Sequence, residues 1–127
     1  TRRISDKSEG FEKALNSGEG VALTASVLSG FVRVVTNSAA FRRPTFVGEA
    51  LEYCRFLRED AGATWLEPGT AHWQLFDGLC RVAGVAGNLV SDAFLAALAM
   101  EHSCVVVTFD RDFGRFKGLE WMVPAEA

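Results

Sequence analysis

The stretch that most constrains the fold is SDAFLAALAMEHSCVVVTFDRDF, residues 91–113. Its middle, SCVVVTF, residues 103–109, is a nearly unbroken apolar run rich in β-branched residues. A strand of that composition is buried on both faces, which is the condition of a parallel sheet covered by helices. The residues before it, 91–102, are dominated by alanine and leucine and predict a helix, with Ser91 as its cap. After the strand come Asp110 and Asp112, two carboxylates set where a buried strand reaches its end.

The rest of the chain alternates in the same way. Residues 5–16, SDKSEGFEKALN, read as a helix with Ser5 as cap and Phe11, Ala14 and Leu15 on one face. GVALT, residues 20–24, is a short apolar strand, and residues 25–37 carry Val27, Leu28, Phe31, Val34 and Val35 at helical spacing. A loop follows, and Thr45 is positioned to cap a helix from Phe46 to about residue 59. Residues 64–66 form a strand closed by Pro68-Gly69, residues 71–84 an amphipathic helix ended by Gly84, and GVAGNLVS a glycine-rich loop. GLEWMVP supplies a last short strand before Pro124. Strands alternating with helices predict a three-layer α/β/α sandwich around a central, mainly parallel sheet. Its 127 residues, 49% of them hydrophobic, suit one domain spanning residues 1–127.

Sites in such sheets form at the carboxyl ends of the strands. A strand that follows its helix runs back antiparallel to it. The amino end of the 91–102 helix and the carboxyl end of the next strand therefore share one edge, which brings Asp92 towards Asp110. Gathered carboxylates stay ionised when a cation lies between them, and hard divalent ions take oxygen ligands. Arg111, Arg115 and Lys117 stand beside the acids, where they can hold a phosphate. Spacing alone leaves plainer accounts open. Asp92 can complement the helix dipole, Asp110-Arg111-Asp112 can be a polar turn, and Thr108 can be a simple strand former. His72 and His102 read as structural residues, and Trp65, Trp73 and Trp121 as core rather than a base-stacking platform.

Other classes receive little support. Three separated cysteines, Cys54, Cys80 and Cys104, with two histidines do not form a zinc-site pattern and read as reduced thiols in a cytoplasmic protein. No apolar run reaches the roughly 18 to 20 residues that cross a bilayer, and the polar opening TRRISDKSEG is no secretory signal. Net charge −3 argues against strong non-specific binding to nucleic acid but leaves room for a local basic rim. The glycines of GVAGN lack the lysine of a nucleotide-phosphate loop. Asp110 as a phosphatase-like nucleophile finds no convincing lysine or threonine partner further on.

The segment GNLVSDAFLAALAMEHSCVVVTFDRDFGRFKGLEW resembles the C-terminal half of PIN-domain ribonucleases, above all the VapC toxins of VapBC toxin–antitoxin pairs in actinobacteria. GFVRVVTN, the FRRP loop and LEPG resemble that branch as well. The resemblance implies an endoribonuclease dependent on Mg2+ or Mn2+, acting on structured RNA such as tRNA, forming a homodimer and inhibited by a VapB-type antitoxin. By position, Asp92 and Asp110 would be metal ligands, Asp112 a supporting acid, and Thr108 would orient the site. Two departures accompany it. The short opening strand ending in Asp is expected ahead of Thr1, so the sheet is expected to lack its first strand and the domain to be truncated at its N-terminus. The Glu expected in the helix after the second strand falls at Gly30. With those acids missing, a catalytically weak or inactive module that binds antitoxin or RNA is the alternative.

Overall fold

The computed structural model describes residues 2–5, 20–39 and 43–124. The strands are β1 (Arg3–Ser5), β2 (Val21–Leu23), β3 (Thr64–Trp65), β4 (Val105–Val107) and β5 (Trp121–Met122). The helices are α1 (Ala25–Val35), α2 (Val47–Glu59), α3 (His72–Ala83) and α4 (Asn88–Glu101). A 3-10 helix, Arg111–Arg115, lies between β4 and β5. The described strands form one sheet in the order β3-β2-β1-β4-β5, with every neighbouring pair parallel.

That order turns around at β1. From β1 the chain moves outward through β2 to β3, then returns to the other side of β1 for β4 and β5. Crossovers between parallel strands are right-handed, so connections travelling in opposite directions cover opposite faces. α1 and α2, between β2 and β3, take one face, and α4, leading back to β4, takes the other. The α/β sandwich read from the sequence is the fold observed.

The central strand corrects an expectation. The sheet does not lack it, because Arg3–Ser5 fills the position between β2 and β4. Only one of its three residues is apolar, which is why it reads as polar sequence. Ile4 is fully buried and Ser5 nearly so. Without this strand the facing edges of β2 and β4 would leave backbone groups unpaired inside the core, a costly state. Ser5 accordingly ends a strand rather than capping a helix, and the rest of the expected 5–16 helix lies outside the described residues. So does Asp6, which follows Ser5 in the chain.

Two boundaries also move. α2 begins at Val47 behind Phe46, with no side-chain cap; the Thr45 amide instead bonds the Val35 carbonyl at 2.8 Å. α4 begins at Asn88, inside the supposed glycine-rich loop, so Ser91 is not its cap. Gly87, at φ 61°, makes the sharp entry. The helix then buries Ala93, Leu95, Ala96, Ala97, Leu98 and Ala99. Small alanines let it lie close to both the sheet and α3, its antiparallel partner across the short 84–87 connection.

The far end of α4 is held by a carboxylate. Glu101 Oε1 accepts from the Gly69 amide at 2.8 Å and Oε2 from the Ala71 amide at 3.0 Å. These are free donors at the start of α3, so Glu101 acts as a cap supplied from another helix. A Cβ on Gly69 would stand 2.6 Å from Glu101 Oε2, so a side chain there would push the carboxylate away from the two amides it caps. His102 Nε2 lies 2.9 Å from the Glu67 carbonyl, and buried His72 lies 3.0 Å from the Phe94 carbonyl; both histidines are structural, as expected. Trp65 and Trp121 are half-buried core residues, whereas Trp73 is exposed, against expectation, because α3 turns that face outward. The cysteines are free, and burial pushes the Cys54 and Cys104 thiols up.

The Gly69 amide bond is the leading cause that holds the Glu101 carboxyl below its ordinary range, joined by the Ala71 amide. A group depressed on folding contributes stability above its unfolded pKa and loses it as pH falls through the folded value. Thermal melts are therefore expected to show Glu101→Gln less stable than the parent at neutral pH, with the gap closing in acid. Gly69→Ala is expected to cost about 1 to 3 kcal/mol in urea unfolding.

Candidate active site at the carboxyl edge of the sheet

The reversal of strand order lies between β1 and β4, and ligands of open parallel sheets bind outside the carboxyl ends at such a point. β4 is pinned along its length: the Val105 amide bonds the Arg2 carbonyl at 2.9 Å, Val106 the Glu120 carbonyl at 3.0 Å, and Thr108 the Met122 carbonyl at 2.9 Å. Thr108 is 1% exposed. Its hydroxyl accepts the Asp110 amide at 2.9 Å, and Asp110 Oδ1 accepts the Asp112 amide at 2.9 Å. Asp110 is thus the N-cap of the 3-10 helix, and its carboxyl is fixed in a chain of bonds that starts in the core. The sequence suggested either a polar turn or a site; the structure has a turn of defined geometry with Asp110 half-buried in it.

Asp92 is the fifth residue of α4, half-buried, with no acid in the helix's first turn. The dipole account therefore weakens, since that effect fades beyond the first turn. Asp92 lies nine residues before Glu101, or about 13 Å along the helix. Cys104 to Thr108 rises about 13 Å along the strand. Ideal rises therefore carry Asp92 and Thr108 towards the same edge of the sheet. Asp112 is more exposed, and Arg115 is turned onto it: Nε donates to the Asp112 carbonyl at 3.1 Å and a terminal nitrogen lies 3.4 Å from Oδ1. Arg111 and Lys117 are exposed on the same segment. Gly30, on α1, faces open space where a Cβ would stand.

The donor set is oxygen only, which suits a hard divalent cation. Among the described residues no three His, Cys, Asp or Glu side chains converge into a closed cage. Asp92 and Asp110 would hold an ion as two protein ligands, leaving positions for water and a substrate phosphate, a usual pattern for Mg2+. The oxygen chemistry of Asp92 and Asp110 suits such an ion in an open site, while exposed Asp112 is engaged with Arg115.

The chain matches the PIN-domain model over residues 3–119. It is 38% identical over 115 residues to Ribonuclease VapC43 of Mycobacterium tuberculosis, covering 91% of this chain and 78% of that protein. It is 32% identical over 114 residues to Ribonuclease VapC31 of the same organism, covering 90% and 80%. In structure it is similar to VapBC-1 from nontypeable Haemophilus influenzae, with TM-score 0.71, 12% identity and 98% of each chain covered. VapBC2 from Rickettsia felis gives TM-score 0.66 at 13% identity, covering 97% and 98%. At such identities the structures share the fold. A doubly wound parallel sheet with acids near its switch point is an α/β domain whose site lies at the carboxyl ends of its strands. The chain belongs to the PIN-domain family, alongside the VapC proteins.

The Thr108 hydroxyl is the joint between core and site. Thr108→Val keeps the shape but strands the Asp110 amide and is expected to cost about 1 to 3 kcal/mol in urea unfolding. Asp110→Asn keeps an acceptor for the Asp112 amide and is expected to unfold with the parent.

Proposed function

We propose that the chain is a toxin endoribonuclease of a type II toxin–antitoxin pair, hydrolysing RNA phosphodiester bonds with Mg2+ or Mn2+ held by Asp92 and Asp110. The observation that carries this is the bonded run Thr108–Asp110–Asp112 at the end of a buried strand, towards whose edge ideal helix rise brings half-buried Asp92. The names of the VapC relatives point the same way. The bound ion would supply Lewis acidity for phosphoryl transfer and activation of water. The residues do the positioning. Thr108 fixes the Asp110 backbone, Asp110 and Asp92 present oxygens from two rigid elements, and Asp112 holds Arg115 in place. Arg111, beside Asp110 in the chain, attracts a phosphate next to the scissile bond, whereas Lys117 lines a cleft with Leu75, Leu79 and Met100. Structured RNA such as tRNA is the substrate class we favour, in the cytoplasm. No described helix is long and apolar enough to cross a membrane.

A VapB-type antitoxin is the proposed partner. Thr45 bonded to Val35 brings Phe46 beside the end of α1. Val34, Phe46, Val47 and Leu51 are all exposed there, with Phe46 at 79%. A face of this kind suits the apolar side of a partner helix. A second place for such a helix, between the segments around Phe11 and Phe31, lies partly outside the described residues, while Phe31 itself packs on Tyr53 at 5.6 Å. Exposed Trp73 and Val82 on α3 leave apolar surface for a homodimer. The lack of a closed acidic cage among the described residues and the bare Gly30 favour the second reading, a module that binds without cutting.

A labelled tRNA pool separates the two. Cleavage that needs Mn2+, stops with EDTA and falls to background in Asp92→Asn and Asp110→Asn supports the enzyme. Binding without cutting supports the module. Gly30→Glu is expected to tighten Mn2+ binding in a direct titration, because affinity rises with carboxylate count. It also removes a helix-interior glycine at no steric cost, for a gain of about 0.5 to 1 kcal/mol.

A further inference from the structure

The segment FDRDFGRF, residues 109–116, carries three phenylalanines with two different fates. Phe113 and Phe116 are 1% and 2% exposed and meet edge to face at 5.9 Å. Phe109 is 57% exposed. Strand alternation explains the direction, since Thr108 points into the core and the next residue points away. It does not explain why so apolar a ring stands there. Nor is this the exposure of a loose loop. The backbone on one side is fixed by the Thr108 amide on Met122, and on the other by the Asp110 amide on the Thr108 hydroxyl. The ring is therefore a solvent-facing surface on a rigid stem, adjacent in the chain to the carboxylate proposed to hold the ion. Exposed Arg111 and Arg115 follow within the same segment.

We propose that Phe109 is the platform on which one unpaired base of the RNA stacks, setting the register of the strand across the Asp92–Asp110 site. The proposal rests on the ribonuclease reading and names the substrate feature that site selects. The charge around the ring identifies the occupant. An apolar ring on a segment that also carries exposed Arg111 and Arg115 matches a chain of bases and phosphates, in which every base has a face to stack and every linkage a negative charge. It fits a base in a loop or single strand, because bases within an A-form helix present no free face. Phe109 then acts by positioning: it holds the nucleotide beside the scissile bond while the acids and the ion do the chemistry.

The test measures binding of two fluorescein-labelled RNAs, a short random-sequence single strand and a blunt duplex, at low salt with EDTA so that no cleavage occurs. Phe109→Ala is expected to weaken single-strand binding by about 5- to 150-fold, the measured range for loss of one stacked base. Duplex binding should change little, and Phe109→Trp should restore the single-strand affinity. Arg111→Ala should weaken both RNAs and lower the salt slope by about one, which Phe109→Ala should not do. Equal losses on both RNAs, no loss on the single strand, or no single-strand binding by the parent chain would each overturn the proposal. Cleavage with Mn2+ is scored separately. Cutting by the parent with unchanged single-strand affinity in Phe109→Ala leaves the ribonuclease and removes the platform. Phe109-dependent binding with no cutting keeps the platform and removes the ribonuclease.

Discussion

The site hangs from the pairing of β4. Its three valines are buried, its amides are bonded to flanking strands on both sides, and Thr108 continues that order past the end of the strand. Where Thr108 is held, its hydroxyl holds Asp110, and Asp110 in turn holds the start of the 3-10 helix. The Asp110 carboxyl is thereby tied to the core by two side-chain bonds rather than by a flexible loop. Preorganisation of this kind keeps an ion-binding group in place before the ion arrives.

Two other constraints serve the same edge. α4 must lie close enough to β4 for Asp92 to stand level with Asp110, and its alanines permit that approach. The end of α4 away from the site is clasped by Glu101 on the opening of α3, which sets how far the helix can slide. The clasp and the site are thus the two ends of one buried helix. Protons reach the first through Glu101, whose carboxyl is held charged by backbone amides. Acid therefore loosens the helix from the end remote from the acids it positions.

Much of this was legible in residues with one strong preference. The valine run gave β4, alanine and leucine gave the body of α4, and Gly84 in the left-handed region ended α3 where glycine was expected to. Asp110 and Asp112 stood out because an acid-bearing turn after a buried strand is unusual in both pattern and cost. Other features were settled by neighbours that no local pattern reveals. β1 is a strand because β2 and β4 need a partner, not because Arg-Ile-Ser prefers extended backbone. The first turn of α4 reached into a glycine-containing loop because Gly87 could make the turn and Asn88 could start the helix. The Glu101 clasp joins residues about 30 positions apart and left no sequence signal beyond the glycine at 69. Phe109 read as part of an apolar run, and only its exposure in the fold separated it from Phe113 and Phe116.

The central claim is that Asp92 and Asp110 share one divalent cation at the carboxyl edge of the sheet. The most direct test is a titration of the isotope-labelled chain with Mn2+, followed by amide NMR, since the paramagnetic ion broadens the signals nearest to it. The account predicts that amides around Asp92 and from Thr108 to Asp112 broaden first and together at low Mn2+, and that Asp110→Asn abolishes the effect. Broadening that begins elsewhere, or that survives Asp110→Asn unchanged, would contradict it.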